Sequence, residues 1–393
     1  MPCGKMKALL LAAVFAVLRS AHGFRTLPLP RIPLHDLEKP RNHVYRDGHL
    51  PFIMTSVGFD WEAFNVLSPQ WLASTFPDAI VDTYLKGMRR QNGQEGQNPH
   101  LDWMDEAMAV LADPESGDSS QVPYLQWRIT HPQWRRLAPL FEPFPPYLTG
   151  DWWQDRCLGN VTTKENFWLA TAWRMMVVGK PGSGMFIHPD SFYTSVWQVQ
   201  LVGHKRWAVC HPDDEEFMPP PGTWDPFSST VLHEHPSLTR ARCGIADVAP
   251  GEVLVYPSNY WHATLSLDQP TIGLAGRTVT PLNYRGVYDH LRKECSRPRV
   301  DASDSYLGAS ENLYQDLCTV ALPRCLAVWS GTYGAGHQEW ADHAQPECRV
   351  QPDQRRPCWE ATPAGCTAVG CCWAPSAELC ADGGCPSCFA PAA

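Results

Sequence analysis

The sequence predicts a mainly β body, a sandwich or open barrel with flanking helices, followed by a small disulfide-rich unit. Three observations carry this. From Tyr124 onward, short aromatic or β-branched stretches alternate with Pro and Gly. The 17 Trp and 37 Pro in 393 residues point to rigid aromatic contacts and many loops, and away from a long helical bundle. Eight of the 15 Cys fall between Cys348 and Cys388, so the tail is built differently from the body. A chain of this length can bury one large core and still carry a small appendage.

In chain order, residues 1–23 read as a secretory signal peptide: Lys5 and Lys7, then the apolar run Ala8 to Leu18, then the small residues Ser20, Ala21 and Gly23. The apolar run spans only about 16 Å at helical rise, too short for a bilayer core. No later segment is a continuous apolar run long enough to cross a membrane, so no integral membrane segment is expected after cleavage. The expected compartment is the secretory lumen (endoplasmic reticulum or Golgi) or the cell exterior. Loss of Cys3 with the signal leaves an even fourteen cysteines, which permits complete pairing. Cys157, Cys210, Cys243, Cys295, Cys318 and Cys325 leave room for either bridges or buried thiols. Asn160-Val161-Thr162 is a glycosylation sequon if exposed.

Phe24 to Pro51 is proline-interrupted and irregular, and Trp61 to Phe76 suits one or two short packing helices. Asn92 to Ser120 is polar around a short helix from Leu101 to Leu111, the texture of an outer insertion. Strands are expected at Trp173 to Val178, Ser195 to Leu201, Arg206 to Cys210, Gly251 to Tyr256 and Thr271 to Thr280. Ala309 to Val328 suits a helix, and Ser330 to Pro346 reads as a linker. The resulting domains are a body over 24–295, a helical segment and linker over 296–346, and a cysteine-rich unit over 347–390. The net charge of −9 offers no general affinity for phosphate backbones, so nucleic acid is not an expected partner.

The chemistry concentrates in Gly184-Met185-Phe186-Ile187-His188-Pro189-Asp190, where an imidazole and a carboxylate two positions apart can point to one side of extended backbone. His262 follows a predicted strand and turn, and the fold can bring it to the same place. Two His and one Asp form a facial triad with open coordination positions, which suits nonhaem Fe(II). Any one of these residues alone would read as a loop or turn residue, and zinc fits the same atoms. Lys205 shifts the balance, because an ammonium near the Val196 to Leu201 strand can pair with a cosubstrate carboxylate.

Taken together, His188-Pro189-Asp190, Thr194-Ser195-Val196-Trp197, Gly203-His204-Lys205-Arg206-Trp207 and Tyr260-Trp261-His262 resemble the JmjC-type 2-oxoglutarate oxygenases. The likeness runs approximately from Phe24 to Tyr288, and is to the branch that includes an arginine demethylase and lysyl hydroxylase. It implies a double-stranded β-helix, the cupin-like jelly roll, with Fe(II), 2-oxoglutarate and dioxygen as cofactors. It also implies His188, Asp190 and His262 as iron ligands and Lys205 at the distal carboxylate of the cosubstrate, with Tyr124 as a second contact there. Gln198 and Thr194 match further cosubstrate positions. The chain departs from the pattern at Ile272-Gly273-Leu274-Ala275, which lacks the threonine expected near the distal carboxylate; Tyr124 or Thr194 would have to compensate. Asp190 disfavours halogenation, which needs a small residue at that position.

Asn92 to Ser120 and Cys210 to Cys243 read either as lids or as ordinary insertions. Asp213-Asp214-Glu215-Glu216 reads as a solvated turn in preference to a basic-peptide site. Trp197 and Trp207 read as core in preference to substrate contacts.

In the tail, Cys348, Cys358, Cys366, Gly370-Cys371-Cys372-Trp373 and Cys388-Phe389 resemble a trefoil, or P-type, domain. That resemblance implies the bridges Cys348–Cys372, Cys358–Cys371 and Cys366–Cys388, with Cys380–Cys385 as an extra one. The interval from Cys358 to Cys366 is short for the family. About forty residues cannot support a conventional core, so disulfides should carry this fold. Such a module suits contact with a glycan or glycoprotein, or serves as a stabilising appendage. The expected function is hydroxylation of a side chain of a secretory protein or peptide, with oxidative decarboxylation of 2-oxoglutarate to succinate. The competing expectations are an oxygenase of a small metabolite and a noncatalytic cupin-plus-trefoil binding protein.

Overall fold

The computed structural model describes residues 23–296 apart from 47, 58–59, 85–99, 113–122, 150–167, 170, 191 and 281–282, and beyond them residue 318 and the pairs 372–373 and 388–389. The first compact unit comprises Met1–Gly150 and Thr171–Thr278. Its strands form two sheets. The larger runs β2 (Arg31–Pro33), β3 (Phe52–Thr55), β11 (Val253–Tyr256), β8 (Ser195–Val202), β13 (Thr271–Thr278), β7 (Arg174–Gly179), β6 (Tyr124–Arg128), β4 (Ile80–Tyr84) and β5 (His100–Trp103). The smaller runs β1 (Arg25–Thr26), β10 (Arg242–Val248), β9 (Lys205–Cys210) and β12 (Trp261–Ser266). Each expected strand is present, mostly within a residue or two of its expected ends.

The alternation along β8 shows how sequence divides the two faces. Trp197, Val199 and Leu201 join an apolar layer that includes Leu72, Met104, Met108, Leu111 and Leu137 from the flanking helices. Val196, Gln198 and Gln200 point the other way, into the space between the sheets. That interior is lined by Ile53, Val196 and Leu254 from the larger sheet and by Trp207 and Val209 from the smaller. The interior thus combines these apolar side chains with the buried amides of Gln198 and Gln200.

Trp61 to Phe76 holds two short helices, Ala63–Val66 and Pro69–Thr75, the second begun by Ser68, whose hydroxyl accepts from the Trp71 amide. The helix expected over Leu101 to Leu111 is instead strand β5 followed by the helix Met104–Ala112. Leu101 and Trp103 are exposed in β5, while Met104, Ala107, Met108 and Leu111 pack on the outer layer of the larger sheet. The described part of this insertion is thus a backing for the sheet and not a lid.

The excursion between Cys210 and Cys243 resolves the same way. A disulfide joins these residues, which stand opposite each other in the β9–β10 register, so neither is a free thiol. Within the excursion Trp224, Val231 and Leu238 pack with Phe24, Ile187, Trp261 and Ala263. Trp261 and Ala263 flank His262 on β12 and point away from the interior. The excursion therefore covers the outside of the smaller sheet. In its short helical turn Pro212–Phe217, Asp214 is buried and receives Arg242 Nε at 2.8 Å, so the acidic stretch is partly an anchor and not only a solvated turn.

The second unit comprises Asp151–Ala170 and Val279–Ala393. It includes a helix, Tyr284–Ser296, which the sequence reading does not anticipate, and an antiparallel pair, β14 (Cys372–Trp373) with β15 (Cys388–Phe389). Residues 1–22, the sequon at Asn160, the Ala309 to Val328 helix with its linker, and the trefoil-type bridges lie outside the described residues. Among the described residues no helix is long and apolar enough to cross a membrane.

Candidate metal centre

His188 and His262 meet because the segment 183–188 runs alongside β12. The two histidines exchange backbone hydrogen bonds, His188 N to His262 O at 3.0 Å and His262 N to His188 O at 2.8 Å. Further along, the Met185 amide donates to Thr264 Oγ1 at 2.8 Å and the Ser266 amide to Ser183 O at 2.7 Å. The approach depends on Gly184, where a Cβ would run into the Thr264 carbonyl. Asp190 follows two residues after His188, and one ligand atom from each of His188, Asp190 and His262 lies within 4.8 Å of the others.

Hydrogen bonds fix how each donor presents itself. His188 Nδ1 lies 2.7 Å from Phe186 O, and His262 Nδ1 lies 3.0 Å from Tyr260 O. With Nδ1 protonated toward a carbonyl, each ring keeps its Nε2 lone pair for a metal. Arg277 Nη2 donates to Asp190 Oδ1 at 2.9 Å, and the Tyr256 hydroxyl donates to Oδ2 at 3.3 Å. Tyr256 also lies 3.2 Å from His262 Nε2.

The electrostatics match ligation. Burial, with His262 nearby, lowers the His188 pKa to about 4, and burial lowers that of His262. Burial thus favours the neutral form of both rings, the form in which imidazole binds a metal. Burial pushes the Asp190 carboxyl up, but Arg277 and the two imidazoles outweigh it and hold the group well below the usual carboxylate range. Two neutral imidazoles and one anion, the ligand-capable cluster found here among the described residues, form a donor set that fits iron(II).

Lys205 opens β9 rather than closing β8, and its side chain is completely buried. Its Nζ has no hydrogen-bond partner among the described residues, and burial lowers its pKa to about 7. An orphaned buried ammonium in the same barrel as the triad is a feature that an anionic ligand would satisfy. Tyr124 stands beside it, with Lys205 Nζ 5.4 Å from the ring centroid, and its hydroxyl bonds to the side chains of Gln126 and Thr264. Gln198 faces the same interior, and its Nε2 is buried without a partner among the described residues.

Comparison with known proteins bears directly on this arrangement. The family described as the cupin-like domain matches residues 41–276, more than half of the chain. The chain belongs to the cupin-like family. Relatives of this cupin-like chain include the human 2-oxoglutarate and iron-dependent oxygenase JMJD4, 26% identical over 251 residues, covering 59% of this chain and 55% of that one. The bifunctional arginine demethylase and lysyl-hydroxylase psr-1 of Caenorhabditis briggsae is 23% identical over 245 residues, covering 59% and 54%. The arginine-specific demethylase JMJ22 of Arabidopsis thaliana is 22% identical over 153 residues, covering 33% and 28%. The match thus spans about half or less of the length of these relatives.

Within the cupin-like barrel, Thr194 is placed away from Lys205. Its Oγ1 accepts from Arg277 Nη1 at 3.1 Å, which puts it at the Asp190 end. Trp197 and Trp207 are both buried, Trp197 in the outer layer and Trp207 inside the barrel, so both are core.

Two residues at the centre escape the sequence reading, Arg277 and Tyr256. Their signal is present in hindsight. Arg277 is the one charged residue in the otherwise apolar or small strand Thr271–Thr278, on the inward phase with Gly273 and Ala275. Tyr256 shares the inward phase of Leu254 on β11.

Proposed function

We propose that this cupin-like chain is a 2-oxoglutarate- and Fe(II)-dependent oxygenase that hydroxylates a side chain of a protein or peptide in the secretory pathway. The observation that carries the reading is the pairing, inside one barrel, of the His188, Asp190 and His262 cluster with the orphaned ammonium of Lys205. His188, Asp190 and His262 would hold the iron, and Lys205 the distal carboxylate of 2-oxoglutarate. When bound, iron and 2-oxoglutarate supply the oxidising chemistry: dioxygen gives one atom to a substrate C–H bond and the other to succinate, with release of carbon dioxide. The chain's own residues have simpler tasks. Phe186 O and Tyr260 O orient the imidazoles, Arg277 keeps Asp190 anionic, and the apolar side chains of Val196, Trp207, Val209 and Leu254 keep bulk water from the interior.

Two of the relatives carry names that state action on arginine or lysyl groups, which supports a protein or peptide substrate. The secretory location is supported by the signal-like N-terminus and by the Cys210–Cys243 bridge, which an oxidising compartment maintains. The trefoil-like tail would raise local substrate concentration by binding a glycan or glycoprotein. The reading is tested by aerobic incubation of the full chain with Fe(II), 2-oxoglutarate and secretory proteins or peptides. The expected result is succinate formation together with a product heavier by one oxygen atom, absent without metal. Neither succinate nor any oxidised product across such a screen would favour a noncatalytic binding protein, and oxidation of small metabolites alone would redirect the substrate assignment.

A further inference from the structure

Tyr256 brings into the metal centre a phenol oxygen that the chemistry proposed above leaves unused. It is the last residue of β11, opposite Val196 of β8, and it is buried. Its ring centroid lies 4.7 Å from that of His262 and 6.1 Å from that of Trp207, so the strand and both neighbours fix where the hydroxyl stands. That hydroxyl is 3.2 Å from His262 Nε2 and 3.3 Å from Asp190 Oδ2, whereas these two atoms lie 3.9 Å from each other. The phenol oxygen is thus nearer to each of two ligand atoms than they are to one another.

Hydrogen bonding alone does not account for this convergence. Tyr256 has one hydroxyl hydrogen and it faces two acceptors, since His262 Nδ1 is turned to Tyr260 O and Asp190 Oδ1 is taken by Arg277. Both separations are long for a hydroxyl hydrogen bond, which prefers about 2.7–2.8 Å. They do match neighbouring ligand atoms on one ion: with bonds of about 2.1 Å and angles from right to tetrahedral, such atoms stand about 3.0–3.4 Å apart. An ion bonded at about 2.1 Å to both Asp190 Oδ2 and His262 Nε2 as they stand would lie about 1.8–3.4 Å from the Tyr256 oxygen, whichever way it turns about the line joining them. Three lone-pair atoms gathered around a single hydrogen form an arrangement that a cation completes.

We propose that Tyr256 is a fourth protein ligand of this centre, binding ferric iron as a phenolate and standing beside ferrous iron as a neutral hydrogen-bond donor to Asp190. The proposal rests on the reading above only for iron at His188, Asp190 and His262. On ligation the phenol O–H bond breaks, its proton passes to solvent and an oxygen–iron bond forms; no electron moves when iron enters as Fe(III). A trivalent ion offsets the loss of that proton far more than a divalent one does, because the charge of a bound cation decides whether a coordinating acid stays protonated. Tyrosine is an established type of ligand for protein-bound iron. In the ferric form Tyr256 takes a position that the triad leaves open, so the same chain holds Fe(III) and Fe(II) in different ligand sets.

The test is spectroscopic and needs no turnover. The full chain is titrated with Fe(III) supplied as its nitrilotriacetate complex, without 2-oxoglutarate, and Mn(II) affinity and thermal melting are measured alongside. The parent should develop a visible charge-transfer absorption on taking up Fe(III), with phenolate ring vibrations enhanced in resonance Raman spectra, and should lose it on reduction with dithionite. Tyr256→Phe keeps the ring that packs against His262 and Trp207. It should lack the band and bind Fe(III) about tenfold or more weakly, at least the cost of losing a supporting partner, while Mn(II) affinity changes less than about threefold. Tyr193→Phe and Tyr260→Phe alter the tyrosines nearest to Asp190 and His262 in sequence and should keep the band. Loss of the band in either of these overturns the assignment, whether or not Tyr256→Phe folds. If the parent binds Fe(III) without the band, if Tyr256→Phe retains it, or if that variant loses Mn(II) and Fe(III) affinity alike, the assignment of Tyr256 is overturned and the iron reading stands. If the parent takes up neither ion, both fall.

Discussion

Arg277 and Asp190 are joined by a hydrogen-bonded ion pair, Nη2 to Oδ1 at 2.9 Å, with both side chains mostly buried. The pair occupies one carboxylate oxygen, so Asp190 would offer a metal its other one. Because a neighbouring cation both orients the ligand and holds it ionised, Arg277→Gln should weaken Mn(II) or Fe(II) binding about tenfold to a hundredfold without unfolding the chain. Arg277→Lys should fall between the two. Metal titration followed by intrinsic fluorescence checks this, and equal affinities in all three proteins would reduce the pair to a packing feature.

Removing a ligand should act more sharply. His188→Ala and Asp190→Ala are expected to abolish Fe(II)-dependent succinate formation; His188→Ala should leave secretion and thermal melting near those of the parent, whereas Asp190→Ala also strips the mostly buried Arg277 of its carboxylate partner and should melt lower. The measurement is succinate release at saturating 2-oxoglutarate, read beside yield in the medium. Parental activity in either variant would contradict the ligand assignment.

The limits of sequence reading follow from particular residues. His188 and His262 are legible because apolar neighbours, Ile187 before His188 and Trp261 before His262, set the phase of their segments, whereas Asp190 and Lys205 are legible from their spacing and charge within motifs that resemble a known family. Arg277 and Tyr256 are not, because their importance depends on which strand lies beside β8, and strand order is not encoded in local pattern. The same reason accounts for Thr194. Local sequence does not show that a cross-strand guanidinium, Arg277, engages its hydroxyl at the Asp190 end. The helix expected over Leu101 to Leu111 misses strand β5 for another cause, since His100–Trp103 is too short for periodicity to separate strand from helix until β4 pairs with it.

Lys205 makes stability depend on pH in a defined window. Burial lowers its pKa to about 7 in the folded chain against the ordinary value of 10.5. Between these values the unfolded chain holds the proton and the folded chain does not, so unfolding takes up a proton and stability rises as pH increases from about 7 to 10.5. Below about 7 both states are protonated, and the full cost of the buried charge, roughly 3–5 kcal/mol, is present. Lys205→Met should remove this rise and melt higher than the ligand-free parent at pH 7. Thermal melts of both proteins from pH 6 to about 10 read the difference, and parallel curves would mean that Lys205 is not buried as described. The same group predicts that 2-oxoglutarate binding above pH 7 takes up a proton, visible as buffer-dependent binding enthalpy.

The Cys210–Cys243 bridge closes an excursion whose interior residues back the triad. Ile187, adjacent to His188, and Trp261 and Ala263, flanking His262, share one apolar cluster with Trp224 and Leu238 from the excursion. With a sequence separation of 33, loop closure alone assigns the bridge about 3–4 kcal/mol of stability through the unfolded state. The Cys210→Ala, Cys243→Ala double variant should therefore lose about that much in denaturant unfolding. It should also bind Mn(II) more weakly than the parent, because the strand carrying His262 and the segment carrying His188 lean on the stapled segment. A variant that loses stability but keeps full metal affinity would show that the smaller sheet holds the two histidines without that support.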